Sequence, residues 1–69
     1  MNTYKKSIIY ILKSFNVLHF TTLQTEKNKI FFSYCKFKDL FTQLIMELTA
    51  ISDKIEVNFD SENIYLTKI

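Results

Sequence analysis

No glycine and no proline occur anywhere in these 69 residues, so every reversal of the chain is made by residues that carry a Cβ. A left-handed backbone is inexpensive only for glycine, and Asn, Asp, Ser and Lys have to serve in its place. The same absence excludes phosphate loops that need close backbone approach to a ligand. There can be no P-loop and no glycine-rich dinucleotide fingerprint.

The most regular stretch runs from Phe37 to Ile51. Its apolar residues are Phe37, Leu40, Phe41, Leu44, Ile45, Leu48 and Ile51, the i, i+3, i+4, i+7 spacing that lays one stripe along a helix. Asp39 falls in the first turn of that helix, where a carboxylate meets the positive end of the macrodipole. Ser52-Asp53 then breaks the pattern. A second stripe, Tyr4, Ile8, Ile11, Leu12 and Phe15, predicts a helix over 4–15, with Asn2 or Thr3 as its cap.

Between the helices, Val17–Leu23 is rich in β-branched and aromatic residues and reads as a strand. Gln24–Asn28 reads as a polar connection and Lys29–Cys35 as a second strand, together an antiparallel hairpin. After the second helix, Lys54–Asp60 alternates Ile55, Val57 and Phe59 with Glu56, Asn58 and Asp60. Ser61-Glu62, flanked by Asp60 and Asn63, turns the chain into a last strand over 63–69.

The order is α-β-β-α-β-β, and the two halves resemble each other. Shifted by about 33, the first stripe falls on the second. Asn28-Lys-Ile-Phe-Phe falls on Glu62-Asn-Ile-Tyr-Leu at a shift of about 34. A duplicated αββ unit is one reading; two amphipathic helices that each precede a hairpin produce the same likeness. Either way the expected fold is a single small α+β domain spanning 1–69, a two-layer sandwich with two helices on one face of a four-stranded antiparallel sheet.

Strand parity divides that sheet. Leu18, Phe20, Ile30, Phe32, Tyr34, Ile55, Val57, Phe59, Ile64 and Leu66 are expected to point inward. His19, Thr21, Phe31, Ser33, Cys35, Glu56, Asn58, Asp60, Tyr65, Thr67 and Ile69 are then outward. An outer face with Phe31, Tyr65 and Ile69 among polar residues suits a protein contact better than bare solvent.

Composition bounds the class. Hydrophobic residues are 48% and aromatics 16% of the chain, too apolar for disorder. A core this small is marginal by itself, and association with a partner would add to it. The nine basic residues are all lysine. Phe, Tyr, Met, Ile, Asn and Lys, whose codons are AT-rich, make up about half of the residues. An AT-rich gene is inferred, in an organelle, a reduced bacterium, a virus or a plasmid. A single cysteine, Cys35, cannot form an internal disulfide, which fits an intracellular, reducing compartment. No run of 18 apolar residues is present, so no membrane span is expected.

No catalytic, cofactor-binding or metal-binding constellation is found, and no cofactor is expected. His19 and Cys35 fall on strands expected to pair, and a Cys-His pair can activate a thiolate. No third group is placed to complete such a site, and one Cys with one His cannot close a tetrahedral metal site. Lys27, Lys29, Lys36 and Lys38 surround the second strand with Phe31 and Phe32 between them, the nearest approach to a phosphate-binding patch. At a net charge of +2 a solvated rim explains them as well.

The sequence thus points to a non-enzymatic interaction or structural subunit. It would dock a second copy or a larger assembly through its open sheet face or an edge strand, with Phe31, Tyr65 and Ile69 as partner-binding residues. The last strand, with nothing following it, is the expected free edge. Two alternatives stand beside it. One is a nucleic-acid-associated accessory subunit, as of an organellar ribosome, that uses the four lysines. The other is a small viral or plasmid inhibitor of a host protein.

Overall fold

The computed structural model describes residues 2–51 and 53–69, with side chains from Tyr4 onward. Helix α1 spans Asn2–Ser14 and α2 spans Phe41–Thr49; strands β1 Gln24–Glu26, β2 Lys29–Ser33, β3 Ile55–Phe59 and β4 Asn63–Lys68 form one antiparallel sheet. The sandwich has the expected α-β-β-α-β-β order. The proposed cap at Asn2 or Thr3 and the break at Ser52 lie outside the described side chains and residues.

The end of α1 explains the main departure from expectation. Asn16 takes φ 59°, the left-handed position that glycine would fill most cheaply. The Val17 N–H then reaches back to the Leu12 carbonyl at 3.0 Å and the Asn16 N–H to Lys13 at 3.0 Å. This is the paired-bond helix stop that closes on an apolar contact, and both Val17 and Leu12 are buried. With Val17 committed to the helix end, the chain winds through a 3-10 turn at Leu18–Phe20. The Thr21 hydroxyl fastens that turn to the Val17 carbonyl at 2.7 Å.

The expected strand over 17–23 is therefore absent. The first strand falls instead at Gln24–Glu26, inside the stretch read as a connection. Lys27, at φ 45°, makes the hairpin turn. Leu18 and Phe20 do not enter the sheet's inner face, and Phe20 is 51% exposed.

The second helix begins later than its stripe. Cys35–Leu40 is a 3-10 segment kinked at Phe37, whose φ of −145° and ψ of 46° are not helical. Phe37 is buried there, so the apolar spacing is satisfied by a bent segment rather than a straight helix. Asp39 thus precedes α2 instead of capping its first turn. Tyr34 lies beyond β2 but is buried as expected, and its hydroxyl donates to the Asp60 carbonyl at 2.7 Å.

The strand order is β1-β2-β4-β3. The last strand in sequence is thus central, and the free edges belong to β1 and β3. The inner rows are Ile30, Leu66 and Val57, then Phe32, Ile64 and Phe59, opposed across β2, β4 and β3. Ile30, Phe32, Ile64 and Leu66 are fully buried under Ile8 and Leu12 of α1 and Leu44 and Leu48 of α2. Phe59, by contrast, is 56% exposed, because it sits on the outermost strand with a neighbour on one side only.

Register relates the halves. Gln24 opposite Phe31 corresponds to Asn58 opposite Tyr65, each about 34 residues on. Ile30 faces Leu66 and Phe32 faces Ile64, so the two hairpins meet through their second strands about a pseudo-two-fold between Phe31 and Tyr65. Among the described residues no helix is long and apolar enough to cross a membrane.

Candidate functional site

The outer face of the sheet is built in rows by the same register. Glu26, Lys29, Thr67 and Glu56 form one row across β1, β2, β4 and β3; Gln24, Phe31, Tyr65 and Asn58 form the next. Phe31 and Tyr65 meet at the pseudo-two-fold with ring centroids 5.5 Å apart. The Lys29 ammonium lies 5.7 Å from the first ring and 5.6 Å from the second. Its other neighbour is the Glu26 carboxylate at 3.9 Å. Both rings are half-buried, so the pair is a small aromatic island in a polar face.

Asp60 anchors one end of that face. Its Oδ1 accepts from the Glu62 and Asn63 N–H groups at 2.8 and 2.7 Å, and its Oδ2 from the Tyr65 hydroxyl at 2.8 Å. Those bonds, the Asn63 amide foremost, hold its carboxyl below the ordinary range, and they raise the Tyr65 hydroxyl in return. This is a turn made without glycine by a side chain that mimics backbone. Burial raises the Tyr4 hydroxyl as well; it donates to the Asn28 carbonyl at 3.3 Å.

The four lysines do not converge. Lys27 and Lys29 stand at the β1–β2 turn, whereas Lys36 and Lys38 follow the far end of β2. The length of β2 from Lys29 to Ser33, roughly 13 Å, separates the two pairs. Ile69 follows β4, is 78% exposed, and donates its N–H to the Lys54 carbonyl at 2.8 Å.

His19 belongs to the 3-10 turn rather than a strand and stacks on Phe20 at 4.0 Å. Cys35 is exposed, with its thiol 3.8 Å from the Glu62 carbonyl. Among the described residues no hydrogen bond joins the two. Nor do any three His, Cys, Asp or Glu side chains cluster as metal ligands there. The hollow beside Cys35 is lined by Phe20, Thr22, Ser33, Lys36 and Asn63. A groove between the helices carries Lys6, Tyr10 and Glu47. Neither gathers convergent polar groups of the kind that fix a small molecule.

The β3 edge has a different character, which the sequence reading missed by assigning the edge to the last strand. Ladder alternation shows which backbone groups it leaves open. The Asp60 N–H bonds Asn63 and the Lys54 carbonyl accepts from Ile69, so residues of even number in β3 turn their backbone groups toward β4. The N–H and C=O of Ile55, Val57 and Phe59 therefore point out of the sheet edge. Their side chains continue the core beyond its last strand: Ile55 and Val57 are half-buried and Phe59 is exposed. Phe41 of α2 meets Phe59 edge-on at 4.8 Å, and Ile45, one turn on, packs beside the core. Three apolar side chains of β3 and two of α2 thus line the open edge of a five-residue strand.

No known protein family, curated protein or solved structure matches the chain.

Proposed function

We propose that this chain is a non-enzymatic interaction subunit that docks a protein partner by strand addition along β3. The observation that supports this most directly is the pairing of two incomplete surfaces on one edge. Open backbone groups at Ile55, Val57 and Phe59 lie beneath the half-covered apolar strip Phe41, Ile45, Ile55, Val57 and Phe59. An added strand satisfies the first while its side chains cover the second, the recognition mode in which main-chain bonds give affinity and pockets give specificity. Strand edges that stay solvated are usually short, charged or covered. β3 is five residues long and carries one charge, Glu56, on its outer face; its inner side, Ile55, Val57 and Phe59, carries none.

The outer face supports nucleic-acid binding less well. Phe31 and Tyr65 are occupied by each other and by Lys29, and Glu26, Glu56 and Asp60 share their face. Carboxylates in the same rows oppose a phosphate backbone.

A photo-crosslinking residue in place of Asn58, which is exposed on β3, tests the reading in extracts of the native cell. A discrete polypeptide adduct is expected, and the same probe at Thr25 on β1 should give none. Only nucleic-acid adducts, or no adduct from position 58, would defeat strand docking.

A further inference from the structure

Resting on that reading, we infer that the strand added to β3 is β3 of a second copy, paired antiparallel about a two-fold axis at Val57. The backbone parity selects this register. Only residues of odd number present open groups, so the partner strand must set odd residues against odd ones. Centring on Val57 pairs Val57 with Val57, and Ile55 with Phe59 in both directions. Each of these is a hydrogen-bonded pair that exchanges two bonds. Every open N–H and C=O of the strand is then matched, whereas a slip of two residues in either direction strands one end.

Side chains agree with this register on both faces. On the inner face the two valines meet at the axis, and each exposed Phe59 lies across from the half-buried Ile55 of the other copy. That brings Phe41 and Ile45 of the two α2 helices to either side of the axis, so the apolar strip closes on itself.

On the outer face Glu56 falls opposite Asn58, not opposite its own copy; the two Glu56 side chains remain diagonal, about 7–8 Å apart. At the ends of the strand Lys54 falls opposite Asp60, once at each end. Asp60 is a fixed anion there, held in place by Glu62, Asn63 and Tyr65, so the strand is charge-complementary to itself when reversed. The product is a continuous eight-stranded sheet in an isologous dimer. β1 has no such self-match: it is three residues long, every one of them exposed.

Sedimentation equilibrium of the purified chain tests the inference. A mass twice the 8.3 kDa of one chain is expected at tens of micromolar (about the range for a modest interface). Val57→Pro removes an outward N–H, which an edge strand tolerates, along with a half-buried side chain, and should return the mass to that of one chain while the circular dichroism spectrum keeps its folded form. The register is read separately, in a Cys35→Ser background. An equimolar mixture of Glu56→Cys and Asn58→Cys chains should oxidise to a crossed disulfide, because opposed residues in a pair without backbone bonds lie about 4.5 Å apart. Each variant alone should give several-fold less, its thiols being diagonal. A wild-type chain that stays at single mass, a Val57→Pro variant that folds and remains dimeric, or a mixture that crosslinks no better than its components would each overturn self-pairing. The docking reading would survive those results if the probe at Asn58 still captured a different polypeptide.

Discussion

The two edges of the sheet occupy equivalent places about the pseudo-two-fold, yet they have opposite surfaces. By the register that relates the hairpins, Gln24 and Thr25 of β1 stand where Asn58 and Phe59 stand in β3. In the first half the chain spends Val17 on closing α1 and Leu18–Phe20 on a 3-10 turn. Only three exposed polar residues remain to pair with β2. In the second half five residues with apolar alternation reach the edge. The difference shows that an edge is blunted by what precedes the strand as much as by the strand itself. A helix stop that consumes apolar residues shortens the strand after it and so removes the template for pairing.

Proline at the centre of each edge strand should separate the two most sharply. Alternation turns the Thr25 N–H outward as it does that of Val57, since the Lys68 N–H bonds Asn28 and the Tyr34 N–H bonds Glu62 on the other side of β2. Val57→Pro is expected to lower association at least a hundredfold, about 3 kcal/mol, and Thr25→Pro to leave it unchanged. Sedimentation of both variants at one concentration series decides this. Equal losses would mean that proline acts through general destabilisation.

A smaller effect should come from the exposed aromatics. Phe59→Ala removes the ring that Phe41 meets edge-on, and association should weaken about tenfold, near 1.4 kcal/mol. Phe20→Ala removes an equally exposed ring near the β1 side, and the dimer mass should not respond. If Phe20→Ala dissociates the dimer, the apolar strip has been placed on the wrong edge.

Midway between the edges, Phe31→Ala breaks the ring pair with Tyr65. Chemical denaturation should show a loss of about 0.5–1 kcal/mol, the worth of a cross-strand aromatic pair, while association of the folded protein persists. Loss of association without loss of stability would instead move the docking surface to the open face.

The smallest effect concerns the hairpin turns. Asp60 has its carboxyl pKa lowered in the folded chain by the Asn63 and Glu62 amides and the Tyr65 hydroxyl. A lowered carboxyl contributes stability above its unfolded value, near 3.8, and that contribution is lost as pH falls through the lower folded value. Protection of the Glu62 and Asn63 amides, their exchange taken relative to an unstructured chain at the same pH, should therefore fall in acid. Asp60→Asn should remove that pH dependence. The β1–β2 turn, made by Lys27 and Asn28, carries no such carboxylate and should show none in either chain.

The sequence carried much of this architecture. The stripe Ile8, Ile11 and Leu12, the stripe Leu44 and Leu48, and the alternation from Ile55 onward all reappear on the sides their periods require. Those are local signals, because burial of one face fixes which positions are apolar. The turns were legible for a related reason: with no glycine present, Asn16, Lys27 and Asp60 were among the few kinds of residue able to make them. Val17–Phe20 misled because β-branched and aromatic residues suit a helix stop and a half-exposed 3-10 turn as well as a strand. Phe37 misled because a kinked 3-10 segment can bury a ring at helical spacing.

Sequence by itself determined the element order, the two-layer class and most of the buried set, since these depend on periodicity and side-chain size along the chain. Tertiary structure alone decided that β2 and β4 meet in the middle. That choice rests on long-range pairing, Ile30 with Leu66 and Phe32 with Ile64, and no local pattern encodes it. By placing the final strand at the centre it exposed β3 instead, and with it the backbone groups of Ile55, Val57 and Phe59. The apolar residues of the β3 edge were legible in the sequence only as core positions; that they line an open edge follows from which strands found each other.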